Sequence, residues 1–258
     1  MGSVSAMDAV YLKIREIARA IAARYPQPDF YRDHAAEAQD SRRFYEADRS
    51  IGRLRREVAA GLDDNVGHGM GHMEKVAIDA GALVIIESRS AGQKEARIRR
   101  NLLMAQCAGL LHDIRRKENA HALKGADAAR HILARYPLIP AEVDHICAAI
   151  RNHEAFVQRE CLPERQTRMI SDCLYDADKF RWGPDNFTHT VWDMVADIDP
   201  PLARFMARYP KGMARLKEIR DTFRSRTGRR YGPQFIDMGL AIGEELYASI
   251  LEHFGDAT

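Results

Sequence analysis

Apolar residues in this chain recur at steps of three and four almost from end to end, and this spacing limits what it can fold into. Side chains at that interval line one face of an α-helix, whereas a half-buried strand needs alternation at two. No alternating Val/Ile/Thr/aromatic run and no Asn-Gly hairpin turn interrupts the pattern. The expected fold class is therefore all-α. Val10, Ile14, Ile17, Ala18 and Ile21 predict a helix over Val10–Ala23 that Pro26 and Pro28 end. Ala35–Leu62 reads as a second, charged and partly solvated helical segment. The glycines from Gly61 to Gly71 predict a break, and a helix resumes at Met73 with Val76, Ala80, Leu83 and Val84 on one face.

Downstream, Ile98, Leu102, Ala105, Gly109 and His112 share a face. A helix from about His121 to Tyr136 stops at Pro137, and another starts after Pro140 with Ile146, Ala149, Ile150 and His153 in register. Ile170, Leu174 and Asp178 align in the same way. His153 and Asp178 thus continue apolar stripes and are expected to point inward. A buried imidazole and carboxylate need partners there, because an uncompensated buried charge costs several kcal/mol. A metal ion is one such partner.

With 46% hydrophobic and 29% charged residues, the chain has the balance of an ordinary globular protein. Its formal net charge of +2 gives no reason to expect nucleic acid or an anionic membrane as partner. Cys107, Cys147, Cys161 and Cys173 form no CxxC pair, which argues against a zinc knuckle and fits a reducing compartment. Without a signal-like N-terminus or an apolar run of about 20 residues, the expected location is cytoplasmic and no membrane partner is expected.

The most informative string is Leu110-Leu111-His112-Asp113, an imidazole and a carboxylate at the end of an apolar helix. Adjacent side chains diverge by about 100° on a continuing helix but can converge where the backbone turns away. The ordered set His72, His112-Asp113 and Asp178, in the contexts GHMEKV, LLHDI and DADK, resembles the H…HD…D signature of HD-domain phosphohydrolases over roughly residues 62–185. The resemblance implies an HD-domain helical bundle with additional N- and C-terminal helices, in which these four residues bind one divalent metal around the Asp113 carboxylate. HALKGADAA, beginning at His121, resembles the family's His-x-x-x-Gly-Ala element, and AIRNH, ending at His153, its second downstream histidine. Members carrying both are similar to two-metal enzymes in which the carboxylate bridges.

On this reading residues 1–61 are N-terminal helices packing on the core, 62–199 the metal-binding core, and 200–258 a helical extension after Pro200-Pro201, all within one globular domain. A donor set of imidazoles and carboxylates without thiolate suits one or two divalent transition metals per chain, Mn or Fe first, then Co, Ni or Zn. Two ions about 3.5–4 Å apart clamp the attacking and leaving oxygens of a displacement at phosphorus. Asp113 is then the central catalytic residue. Charge developing on the phosphoryl oxygens calls for cations, for which Arg116 and Lys179 are placed by sequence, with Arg115 as the substitute for Arg116.

The expected activity is hydrolysis of a small-molecule phosphate ester or nucleotide. The same six residues also resemble the ligand set of mixed-valent di-iron oxygenases, which use iron and dioxygen. A nuclease acting on single-stranded nucleic acid has only the basic run Arg215–Arg230 in its favour, and such a run is usually a solvated face. The intact ligand set argues against a non-catalytic module. His68 either reaches substrate or faces solvent; Asp176 is read as supporting the site or lying on the helix surface. Phe180 and Trp182 are either an aromatic wall for a base or, the reading preferred here, core aromatics.

Overall fold

The computed structural model describes residues 9–61, 67–198 and 200–255, and among these it is all-α. The chain separates into two compact units. One comprises Phe30–Asp178 and Phe223–Arg230; the other comprises Met1–Asp29, Lys179–Thr222 and Tyr231–Thr258.

The first unit is built around a helical hairpin of α5 (Gly67–Ser90) and α6 (Glu95–Leu111), reversed at Gly92 in a left-handed turn (φ 66°). Val76, Ala80, Leu83 and Val84 of α5 are fully buried, as the spacing predicts, and so are Ala105, Gly109 and His112 in line with Ile98 and Leu102 of α6. Before the hairpin come α2 (Asp29–Asp33), α3 (Ala35–Ala47) and α4 (Arg49–Gly61). Ser41 of α3 donates its hydroxyl to the Ile78 carbonyl (2.7 Å), and Gln106 of α6 donates to the Ser41 carbonyl (2.8 Å), so three helices meet through buried polar groups. The hairpin is followed by α7 (His121–Leu133), α8 (Pro140–Arg151) and α9 (Arg165–Phe180), with α8 packed on α6.

One expectation about this region is refined and one needs correction. The charged segment is helical over its described residues, 35–61, as expected, with one break where Asp48 is extended (φ −73°, ψ 127°) between α3 and α4. Its carboxylate accepts the N–H groups of Ser50 (2.9 Å) and Ile51 (3.2 Å), and this competing acceptor starts a new helix. The glycine-rich stretch does not stay open up to Gly71. Residues 62–66 lie outside the described residues, but α5 begins at Gly67, so His72 sits within the helix and not ahead of it. Each glycine disfavours a helix by about 1 kcal/mol, and the long buried run that follows outweighs this.

The second unit contains α1 (Ala9–Ala22), a π-helical turn at Asn186–Thr190, α10 (Val191–Ile198), α11 (Leu202–Ile219) and most of α12 (Arg226–Phe254). Tyr11, Ile14, Ala18 and Ile21 are the buried face of α1. The Tyr11 hydroxyl donates to the Pro200 carbonyl (2.7 Å), and its ring meets Phe205 edge-on (5.7 Å between centroids). No helix among the described residues is long and apolar enough to cross a membrane. None of the four cysteines is in a disulfide.

Candidate metal centre

The buried face of α6 runs to its end at Leu111, and His112 caps the helix still in helical conformation (φ −60°, ψ −34°). Its Nδ1 lies 2.8 Å from the Gly109 carbonyl oxygen. A carbonyl only accepts, so Nδ1 carries the proton and Nε2 is left with a lone pair. Gly109 has a second duty. A Cβ there would fall 2.5 Å from Cα of Ala77, so only glycine lets α5 and α6 cross this closely. The close crossing brings His72 of α5 to His112, with 3.2 Å between their Nε2 atoms.

The other half of the centre comes from α7 and α8. Ala120, just before α7, holds a left-handed conformation (φ 55°, ψ 42°), which an L-residue with a Cβ adopts at a cost of roughly 1–2 kcal/mol. His121 is the first residue of the helix that follows. His153 lies just beyond Asn152, the C-cap of α8, with Nδ1 2.6 Å from the Ile150 carbonyl oxygen. Its Nε2 is again the free lone pair. It lies 3.3 Å from Nε2 of His121.

Asp113 stands between the two imidazole pairs. Its Oδ2 faces Nε2 of His112 (3.6 Å) and of His72 (3.8 Å); its Oδ1 faces Nε2 of His153 (3.5 Å) and of His121 (3.7 Å). Asp178 of α9 adds Oδ1 on the first side, 3.3 Å from His72 and 3.8 Å from His112. All six residues named from the sequence therefore converge: His72, His112 and Asp113 form one donor group, Asp113, His121 and His153 a second that shares its carboxylate, and Asp178 lies beside the first.

Such a set fits divalent cations. Donors about 2.1 Å from one metal are about 3.0–3.4 Å apart, close to the separations found. Lone pairs of neutral imidazoles facing each other repel, and a cation between them removes the repulsion. Burial pushes His112 down to about 4, although Asp113 and Asp178 pull it upward, so it is neutral and ready to ligate at physiological pH. Burial alone would raise Asp113, but the surrounding imidazoles and Arg116 hold it well below the usual carboxylate range. His112, Asp113, His153 and Asp178 are buried, whereas the side chains of His72 and His121 keep 15% and 25% of their exposure and mark the open side.

No family model matches this chain, and no curated protein does either. A search of solved structures finds a predicted HD superfamily hydrolase from an uncultured Thermotogales bacterium, 18% identical, covering 80% of this chain and 90% of that one with a TM-score of 0.40. That likeness is too slight to carry a fold or a function.

Two residues at the centre have roles that sequence reasoning did not give them. Arg116 donates from Nη1 to Asp113 Oδ2 (2.7 Å), so its half-exposed guanidinium rests on the shared carboxylate. Glu154 was missed. Its Oε1 lies 3.5 Å from Nδ1 of His121, the nitrogen turned away from the centre. A carboxylate next in the chain to His153 was the available signal. Partners of this kind fix the orientation and basicity of a ligating imidazole.

The surroundings of the other candidates are as follows. Lys179 is buried in the second unit, with its ammonium 5.9 Å from the centroid of Trp182. The backbone of His68 belongs to α5, and its side chain lies outside the described residues. Phe180 is a core aromatic stacked on Phe235 (4.1 Å between centroids). Asp176 is not on a helix surface: it is fully buried, and both carboxylate oxygens accept backbone N–H groups, of Arg224 and Ser225 (2.8 Å each). The basic run is not one solvated face, because α11 ends at Ile219, α12 starts at Arg226, and Arg224 between them turns inward.

Proposed function

We propose that this chain is a metal-dependent phosphohydrolase of HD-superfamily type that cleaves a phosphate ester or nucleotide. The observation that carries this reading is the position of Asp113, whose two oxygens each face the Nε2 atoms of a separate pair of imidazoles. Such a donor set would suit two divalent ions that share this carboxylate. His72, His112 and Asp178 would hold the first ion with Asp113, and His121 and His153 the second. Bound there, divalent ions supply Lewis acidity to phosphoryl oxygens and a water that loses its proton near neutral pH.

The protein's own groups do the rest. The Gly109 and Ile150 carbonyls lock the His112 and His153 tautomers, so both rings present a lone pair. Arg116 reaches the open side and supplies a planar cation for phosphoryl oxygens not held by the ions. Lys179, which follows Asp178 in the chain, is the second cation of the proposal.

The test is elemental analysis of the purified protein together with a panel of nucleotides and phosphomonoesters assayed with and without chelator. The expected result is one to two transition-metal equivalents per chain and hydrolysis that stops with chelator and returns with Mn, Co or Ni. Protein that holds no metal and shows no metal-dependent thermal shift overturns the reading. Iron-dependent oxygen uptake with no phosphoester cleavage would replace it with the oxygenase alternative.

A further inference from the structure

The chain leaves the site-bearing unit after Asp178 and re-enters it at Phe223–Arg230. This returning segment is fastened to helices that carry candidate ligands. The N–H groups of Arg224 and Ser225 bind the carboxylate of Asp176, on α9 just before Asp178. Gly228 allows the contact, since a Cβ at that position would fall 2.0 Å from Asp176 Oδ2. Thr227 donates its N–H (2.8 Å) and hydroxyl (2.7 Å) to Glu87, on the helix that carries His72.

The side chain of Arg224 makes the third connection. Its Nη1 donates to the carbonyl of Asn152 at 2.6 Å, and its guanidinium carbon lies 3.4 Å from the centroid of the Tyr175 ring. That carbonyl belongs to the peptide bond joining Asn152 to His153. A helix leaves its last carbonyls without intrahelical partners, and a donor placed here sets the orientation of the peptide that carries the histidine. The Asn152 side chain secures the other flank by accepting the Glu160 N–H (2.9 Å). Burial pushes Arg224 down to about 10, which still leaves it cationic at neutral pH.

We infer that Arg224 is a positioning residue for the second ion, acting through the Asn152–His153 peptide to hold the His153 imidazole against His121 and Asp113 Oδ1. The inference rests on the two-ion reading above and adds a selectivity to it. Arg224 touches the peptide of His153, whereas His112, on the first side, is held by its own helix. Its side chain therefore governs one ion more than the other. Truncating it leaves the backbone bonds to Asp176 in place.

The test is Mn2+ titration of the metal-stripped full-length protein, read by calorimetry and by the electron paramagnetic resonance of adjacent versus isolated Mn2+. In the parent two ions bind and couple magnetically. In Arg224→Ala the second binding step weakens by about tenfold or more, the scale for losing an outer partner of a ligand, the first stays as in the parent, and the coupled signal gives way to that of isolated ions. Arg224→Lys, which can still donate to the carbonyl, recovers part of the second step; Arg224→Met, which keeps apolar contact with Tyr175 but cannot donate, does not. In a His153→Ala background, Arg224→Ala changes nothing further. Parent-like binding of both ions by a folded Arg224→Ala or Arg224→Met protein overturns the inference and leaves the two-ion reading standing. Equal weakening of both steps also overturns it, as general support of the fold. A parent that binds no Mn2+ removes the two-ion reading itself. Should the alanine variant not fold, lysine and methionine decide the question.

Discussion

The Arg116 guanidinium lies 2.7 Å from Asp113 Oδ2, the oxygen that also faces His72 and His112. This cation is tethered to the Asp113 carboxylate and half open to solvent, and on the proposed function it meets phosphoryl oxygens of the substrate. Arg116→Ala is expected to keep the parent's metal content at saturating Mn2+ and to lower kcat/KM by about 2–4 kcal/mol of transition-state stabilisation. Arg116→Lys restores part of the loss, because the charge remains and the planar fork does not. Steady-state kinetics alongside elemental analysis checks this, and parent-level turnover in the alanine variant would mean that the guanidinium does not meet the substrate.

Removing Asp113 takes one oxygen from each donor group, while removing His121 or His153 disturbs only one. Asp113→Ala should therefore retain neither ion after dialysis, and His121→Ala and His153→Ala should retain one. If His153→Ala retains one ion yet is as inactive as Asp113→Ala, turnover needs both. If Asp113→Ala retains two, the carboxylate is not shared.

Much of this candidate centre is legible in the sequence. His112 and Asp113 stand at a helix end, and His153 and Asp178 continue apolar stripes, so periodicity and one break in it were enough to send those side chains inward. The start of α5 was not legible, because local propensity at Gly67, Gly69 and Gly71 argues against a helix that long-range burial imposes. The division at Asp48 turns on one side chain competing for two backbone N–H groups, a choice composition does not reveal. Arg224 was hidden for a different reason. In the sequence it is one of many basic residues near the end of the chain, and its bond to Asn152 exists only once the chain has folded back.

Ala120 supplies a test of local strain. It holds a left-handed conformation with no glycine to ease it, immediately before His121. Ala120→Gly should stabilise the fold by about 0.5–1 kcal/mol, the relief of the Cβ contact less the added freedom of the unfolded chain. Thermal melts of the metal-free protein should show a rise of about 1–3 °C. A fall would mean that the alanine methyl makes a contact worth more than the strain.

Glu142, in the first turn of α8, forms an ion pair with Arg100 and accepts the Ile139 N–H at 3.0 Å. Burial would raise its carboxyl, but the Arg100 and Ile139 bonds outweigh this and lower it. A carboxyl depressed on folding contributes stability that is present above its unfolded value and lost as pH falls through the folded one. Glu142→Gln should therefore cost about 1–2 kcal/mol at neutral pH, with the gap to the parent closing on acidification. Paired urea melts across pH measure the gap. A gap that stays constant would mean that the charge on Glu142 does not matter.

Because the site-bearing unit takes Phe223–Arg230 from beyond a long excursion, its completion is ordered in time as well as in space. A ribosome releases the chain N-terminus first, so each of the six candidate ligands emerges before the segment that ties their helices together. Nascent chain can gather imidazoles and carboxylates early, but the clamp on the His153 peptide forms only after residues 179–222 have been made. For protein engineering, the consequence is that a contiguous fragment ending at Asp178 would carry every candidate ligand and lack the piece that sets one of them in place.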